Sequence, residues 1–116
     1  MPHIILEHSN NVVDKINYQE FCINMHKIFM DNGYTNPNAL KSRYVIHDKY
    51  YIGDNIENFF IHLNISVLKG KSNTQLQNII KNAKKLLHDT FKISNNQKPT
   101  AFSVEIREMN NELYLK

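Results

Sequence analysis

The chain has 116 residues, of which 41% are hydrophobic and 22% charged. That length leaves room for one domain, 1–116, and the composition excludes a disordered chain. Its net charge of +3 comes from basic residues scattered among 11 acidic ones, a balance that favours small anions over a polyanion groove. Only Lys81, Lys84 and Lys85 cluster, as a solvated helix face. The single cysteine, Cys22, excludes an internal disulfide, and no apolar run approaches the roughly 18 residues of a membrane span. A soluble cytoplasmic protein follows, with no membrane or nucleic-acid partner. A chain this short buries only about two-thirds of its unfolded surface, so association between copies is expected to help.

The first predicted strand covers residues 2–8 and opens Met1-Pro2-His3-Ile4-Ile5-Leu6. Removal of Met1 leaves the proline nitrogen as a free secondary amine. An α-amino group titrates at about 7.7–8.0, and nearby cations lower that value further, so Pro2 is a candidate base. The first helix starts at Asn17, an N-cap with Glu20 three residues later in a capping-box arrangement. Phe21, Cys22, Met25, Ile28 and Phe29 make its apolar stripe, and Asn32-Gly33 ends it. Cys22 reads as a small buried hydrophobe on that stripe rather than as a nucleophile.

A second strand spans residues 40–48 and carries Lys41-Ser42-Arg43. Lys41 and Arg43 project from one side of it and Ser42 from the other. Two adjacent cations mark either a protected edge strand or a carboxylate site, where a guanidinium grips its ligand through two parallel hydrogen bonds. The third strand covers residues 58–67. Gly70-Lys71-Ser72 then opens the second helix, with Ser72 as N-cap, Gln75 as its capping-box partner, and Leu76, Ile79, Ile80, Ala83 and Leu87 along the apolar face. A lysine at the positive end of a helix is unfavourable by itself. Lys71 is therefore either a solvated loop lysine or part of an anion site in which amides, dipole and ammonium converge. The last strand covers residues 101–107, and Asn110-Asn111 turns the chain into Leu113-Tyr114-Leu115, either a local hairpin or a strand added to a neighbouring copy.

Strand, helix and strand thus occur twice, with a period of about 57 residues. The expected fold class is α+β: two pseudo-repeated β-α-β units, about 2–53 and 56–116, form a four-stranded sheet with two helices on one face. Phe59, Ile61, Leu63, Phe102, Val104 and Ile106 are expected to line one or other side of the sheet. An apolar face left uncovered by helices would be an interface. The histidines (His3, His8, His26, His47, His62 and His88) have no metal-ligand spacing, so neither a metal nor a cofactor is expected.

The Met-Pro-His start, the Ser42-Arg43 pair on the second strand and the Gly70-Lys71-Ser72 turn together resemble the tautomerase superfamily, and within it the 5-carboxymethyl-2-hydroxymuconate isomerase family, over nearly the whole chain. The resemblance implies a homotrimer and a cofactor-independent isomerase in the catabolism of homoprotocatechuate. In that implied mechanism Pro2 is the base for a carboxylated 2-hydroxymuconate-type dienol, and Arg43, Lys71 and Lys41 hold its carboxylates. The family usually has arginine where this chain has Lys71, which keeps open a non-catalytic trimeric ligand-binding or scaffold protein on the same fold. A ferredoxin-like RNA-binding module is a third reading, but no aromatic-basic RNA-recognition motif accompanies the strands.

Overall fold

In the computed structural model, which describes residues 1–116, the chain alternates strands and helices as the periodicity predicts. Strand β1 (His3–Ser9) is followed by helix α1 (Tyr18–Met30) and strand β2 (Lys41–His47). Strand β3 (Ile61–Leu68), helix α2 (Asn73–Thr90) and strand β4 (Phe102–Met109) repeat the order, with a short helix α3 (Lys92–Gln97) inserted before β4. The sheet runs β2-β1-β3-β4. Each helix links a parallel pair, β1 with β2 and β3 with β4, while the two central strands, β1 and β3, are antiparallel. No helix is long and apolar enough to cross a membrane.

The helices form where the stripe is continuous. Phe21, Met25 and Phe29 recur at four-residue spacing on α1 and are all buried, as are Ile79, Ala83 and Leu87 on α2. Ser72 and Gln75 close a full capping box on α2. At α1 only half of it forms: Asn17 accepts from the Glu20 amide at 3.0 Å, but no return bond from the Glu20 side chain reaches the cap. At the other end of α1, Gly33 takes a φ of +94°, and a Cβ there would lie 2.5 Å from the Gln75 side-chain nitrogen. Glycine is required on both counts.

The sheet faces depart from expectation. Ile61, Leu63, Ile65 and Val67 alternate along β3 into the core under the helices, joined by Ile4 and Leu6 from β1, by Phe102, and by Phe59 just before β3. By register Val104 and Ile106 point the same way, and they pack against that core. None of the six apolar residues lines an uncovered side. The open face is mainly polar: His62, Asn64 and Ser66 of β3 lie between His3 and Glu7 of β1 and Ser103, Glu105 and Arg107 of β4, with Ile5 and the exposed Val45 as apolar residues among them. Glu7 accepts from His47 at 3.0 Å across this face. The inward set on β1 and β3 is used to cover the two helices, and most outward positions are polar.

The C-terminal segment also differs. Asn111–Leu113 forms a 3-10 turn rather than leading into a hairpin or strand, and Tyr114 folds back so that its hydroxyl lies 2.8 Å from His3 Nε2.

Two polar contacts tie the loops to the layers. Buried His8 donates from Nδ1 to the Ser9 carbonyl at 2.7 Å and accepts at Nε2 from the Tyr18 hydroxyl at 2.8 Å, which fixes the start of α1 against β1. Asp14, in the β1–α1 connection, accepts from the Ile93 amide at 2.7 Å, the Ser94 amide at 3.2 Å and the Ser94 hydroxyl, and so caps the first turn of α3. Ser94 is fully buried. Asp14→Ala leaves those donors without an acceptor and should cost about 1–3 kcal/mol; a urea midpoint indistinguishable from wild type would show that water replaces the carboxylate.

Candidate functional site

Because β1 and β3 are antiparallel, the start of β1 lies beside the end of β3, with His3 opposite Ser66. The chain terminus therefore meets the turn that leads into α2. There Met1, Tyr34, Leu68, Lys69, Gly70 and Lys71 line a cavity of about 210 Å³. A larger concavity of about 510 Å³ lies between α1 and the end of α2, lined by Lys15, Asn17, Glu20, Asp89 and Lys92 among others. It holds none of the candidate site residues Pro2, Lys41, Arg43 and Lys71. The smaller cavity brings the amino terminus and the α2 turn together, and that makes it the candidate.

Pro2 is buried, and its carbonyl accepts from the Lys41 amide at 3.1 Å, so β2 begins against the terminus. The Met1 amine is pushed below its ordinary value of 8.0, first by burial and then by the charges of Lys116 and Lys41. The cations that act on the terminal amine are thus Lys116 and Lys41, whereas Arg43 acts on His3. Lys71 reaches the cavity from the other side. Its ammonium donates to the Gly33 carbonyl at 2.8 Å and sits 4.7 Å from the centre of the Tyr34 ring.

Lys41 and Arg43 both stand on the open face, as their register with His3 and Ile5 requires, and Ser42 faces α1, where it meets His26 Nε2 at 2.7 Å. Arg43 is not free. It donates to His3 Nδ1 at 3.1 Å, and His3 in turn donates from Nε2 to Tyr114, a relay from the β2 edge to the folded-back C-terminus. The structure thus gathers Met1, Pro2 and Lys41 at one point, adds Lys71 across the cavity, and holds Arg43 one step further along the open face. Tyr34 escaped the sequence reading. It follows the glycine that stops α1 and belongs to no periodic element, so only the lysine-tyrosine juxtaposition created by folding singles it out. Burial and the nearby Glu108 carboxylate raise its pKa above the ordinary 10.0, and it stays a phenol.

Cys22 lies partly buried on α1, with its thiol pushed up by burial against the opposing pull of a hydrogen bond to Ser42. That environment keeps it protonated and unreactive.

His3 sits below its ordinary value of 6.5, first through burial and then through Arg43, the terminus and Lys41. As pH falls from 6.5 the unfolded chain protonates first, so whatever stability the relay gives is present above that pH and lost as pH falls through the folded value. The ring is only partly buried, and solvent keeps the effect small. In a proton NMR titration His3 should show a midpoint below 6.5, raised in Arg43→Ala; an unchanged midpoint in that variant would remove Arg43 as a partner.

Comparison with solved structures supplies the fold's relatives. The chain aligns with a 5-carboxymethyl-2-hydroxymuconate isomerase from Deinococcus radiodurans R1 at a TM-score of 0.88 and 19% identity, covering 99% of this chain and 87% of the other. A 5-carboxymethyl-2-hydroxymuconate delta-isomerase aligns at 0.79 and 15% identity, covering 100% and 87%. A fused 4-OT protein, a symmetric trimer, aligns at 0.72 and 4% identity, covering 92% and 85%. At these identities the likeness is one of fold, and the fold is that of the tautomerases. No curated protein matches the sequence. The family model for 5-carboxymethyl-2-hydroxymuconate isomerase matches residues 2–116, from the proline to the last residue, and the chain belongs to that family of isomerases.

Proposed function

We propose that the protein is a cofactor-independent isomerase in which Pro2, freed by removal of Met1, is the general base on a carboxylated 2-hydroxymuconate-type dienol. The observation that carries this reading is the cavity at the amino terminus, faced by Lys71 in a chain whose family match begins at the proline. A neutral secondary amine takes the proton of the 2-hydroxy group, the electron pair shifts along the conjugated system to give the ketone, and the amine returns the proton at a carbon of that system. Substrate and product are isomers, so no atom or electron is gained or lost.

In this reading Lys71 meets one carboxylate and Lys41, with Arg43 beside it, meets the other, the amine lying between the two groups of cations. Charge that develops on the dienolate oxygen is then stabilised by ammonium and guanidinium groups already in position. The same cations oppose protonation of the amine. Burial together with the Lys41 and Lys116 charges already depresses the amine of Met1, and this reading extends the same influences to a Pro2 amine.

Assembly as a homotrimer belongs to the same proposal, supported by the symmetric trimer of the fused 4-OT protein. The mainly polar open face is the surface through which copies would meet, by hydrogen bonds and ion pairs together with Ile5 and Val45. A trimeric scaffold without turnover is the competing outcome.

Intact mass spectrometry should give the mass of the chain without Met1, and activity should rise with pH through an amine pKa below 8.0. A mass-verified form that retains Met1 has no free proline nitrogen, and its turnover should fall by about 10²–10⁴-fold, the usual contribution of a general base. Isomerisation by that form at the wild-type rate would show that the amine is not the base. A trimer that binds dicarboxylate but turns nothing over, with Met1 removed, would favour the scaffold.

A further inference from the structure

The cavity's cation raises a question of geometry. A lysine carries its charge on a flexible four-carbon stem and lacks the planar fork with which an arginine orients a carboxylate. A free Lys71 would spread its ammonium over many rotamers and lose that freedom on each binding event. In this structure it is not free. The Gly33 carbonyl accepts from the ammonium at 2.8 Å, and the Tyr34 ring lies 4.7 Å beneath it.

Both parts of this socket are themselves fixed. The Tyr34 ring packs edge-on against Phe29, with centroids 5.3 Å apart, and Phe29 is fully buried on α1. The Tyr34 amide donates to the Phe29 carbonyl, so backbone and ring are tied to the same turn of helix. Gly33 holds its carbonyl in place through a left-handed conformation that a side chain would strain, and a Cβ there would collide with Gln75 of the α2 capping box. One ammonium hydrogen is taken by Gly33, the ring takes one side of the charge, and the rest of the group lies in the wall of the cavity.

From this arrangement we infer that Tyr34, with the Gly33 carbonyl, is a positioning residue: its ring holds the Lys71 ammonium toward the cavity and gives a lysine site the fixed geometry needed to bind one carboxylate of an unsaturated dicarboxylate. The inference rests on the isomerase reading for its ligand, but the socket itself can be observed without any ligand. The face of the ring does the holding. It is the ring and not the hydroxyl that meets the ammonium, so phenylalanine should serve and an aliphatic residue should not.

The test uses muconate, a six-carbon unsaturated dicarboxylate, as the binding probe, and calorimetry on the full chain with its native N-terminus. Tyr34→Leu should weaken muconate binding about three- to thirtyfold, the range expected when a cation–π contact is lost. Tyr34→Phe should bind as wild type does. In a Lys71→Ala background Tyr34→Leu should have no further effect, because the ring acts only through the ammonium. An equal loss in both backgrounds, or failure of Tyr34→Phe to restore affinity while its melting temperature matches wild type, overturns the inference. The side-chain methylene resonances of Lys71 provide the ligand-free measurement. They should be shifted upfield by the ring current in wild type and Tyr34→Phe, and should return to ordinary values in Tyr34→Leu. A wild type that binds no muconate overturns the isomerase reading and the ligand assigned here, while Lys71 resonances without a ring-current shift overturn the socket whatever the ligand.

Discussion

The antiparallel pairing of β1 with β3 is the contact on which the rest of the molecule depends. Each β-α-β unit can close its own parallel pair, but neither can bury both sides of its helix alone. Joining the units through β1 and β3 puts α1 beside α2 and completes one core from Ile4 and Leu6 on one strand and Ile61, Leu63, Ile65 and Val67 on the other. The same pairing determines where chemistry can occur. With His3 opposite Ser66, the chain terminus lands against the residues that leave β3, and a shift of one residue would turn the inward set of β1 toward solvent. Register, core and cavity are therefore one constraint seen at three scales.

The elements were legible because local signals agreed with the global fold. Phe21, Met25 and Phe29 at helical spacing, the Ser72 and Gln75 capping pair, and the glycine after α1 each point to a boundary that the structure observes within a residue or two. The assignment of sheet faces was harder. Ile61-His62-Leu63-Asn64-Ile65-Ser66 alternates cleanly, yet alternation says only that two faces differ, not which of them the helices cover. Two amphipathic helices need apolar cover, and Ile61, Leu63, Ile65 and Val67 with Ile4 and Leu6 are the set that provides it. The extra helix Lys92–Gln97 was invisible because it has no stripe of its own and depends on Asp14, about 80 residues away, to cap its first turn.

Residues of the candidate site can be named by motif, but their arrangement cannot be read from it. Pro2, Lys41, Arg43 and Lys71 can each be picked out by type and position, but their mutual placement depends on tertiary contacts that no local pattern encodes. Arg43 shows this most clearly. Strand alternation correctly sets it on the side away from Ser42, and says nothing of His3, which engages it from the neighbouring strand, or of Tyr114, which bonds to His3 from the C-terminal turn. Tyr34 shows the converse, a residue with no pattern around it that acquires a role because the end of α1 is folded against the start of α2.

That meeting of helix ends explains how the chain tolerates a cation where one is unfavourable. Lys71 precedes the N-cap of α2, at the positive end of that helix dipole, and seen in isolation it should be repelled. Its ammonium is instead carried across to Gly33, just past the end of α1, where the exposed carbonyls form a negative pole. One helix offsets the electrostatic cost imposed by the other, and the Tyr34 quadrupole adds to the same side. An anion that enters the cavity then meets a charge already oriented and already separated from its solvent on two sides, together with the amides that open α2. The neighbouring helix end thus gives Lys71 an orientation that the planar fork of a guanidinium would carry within itself.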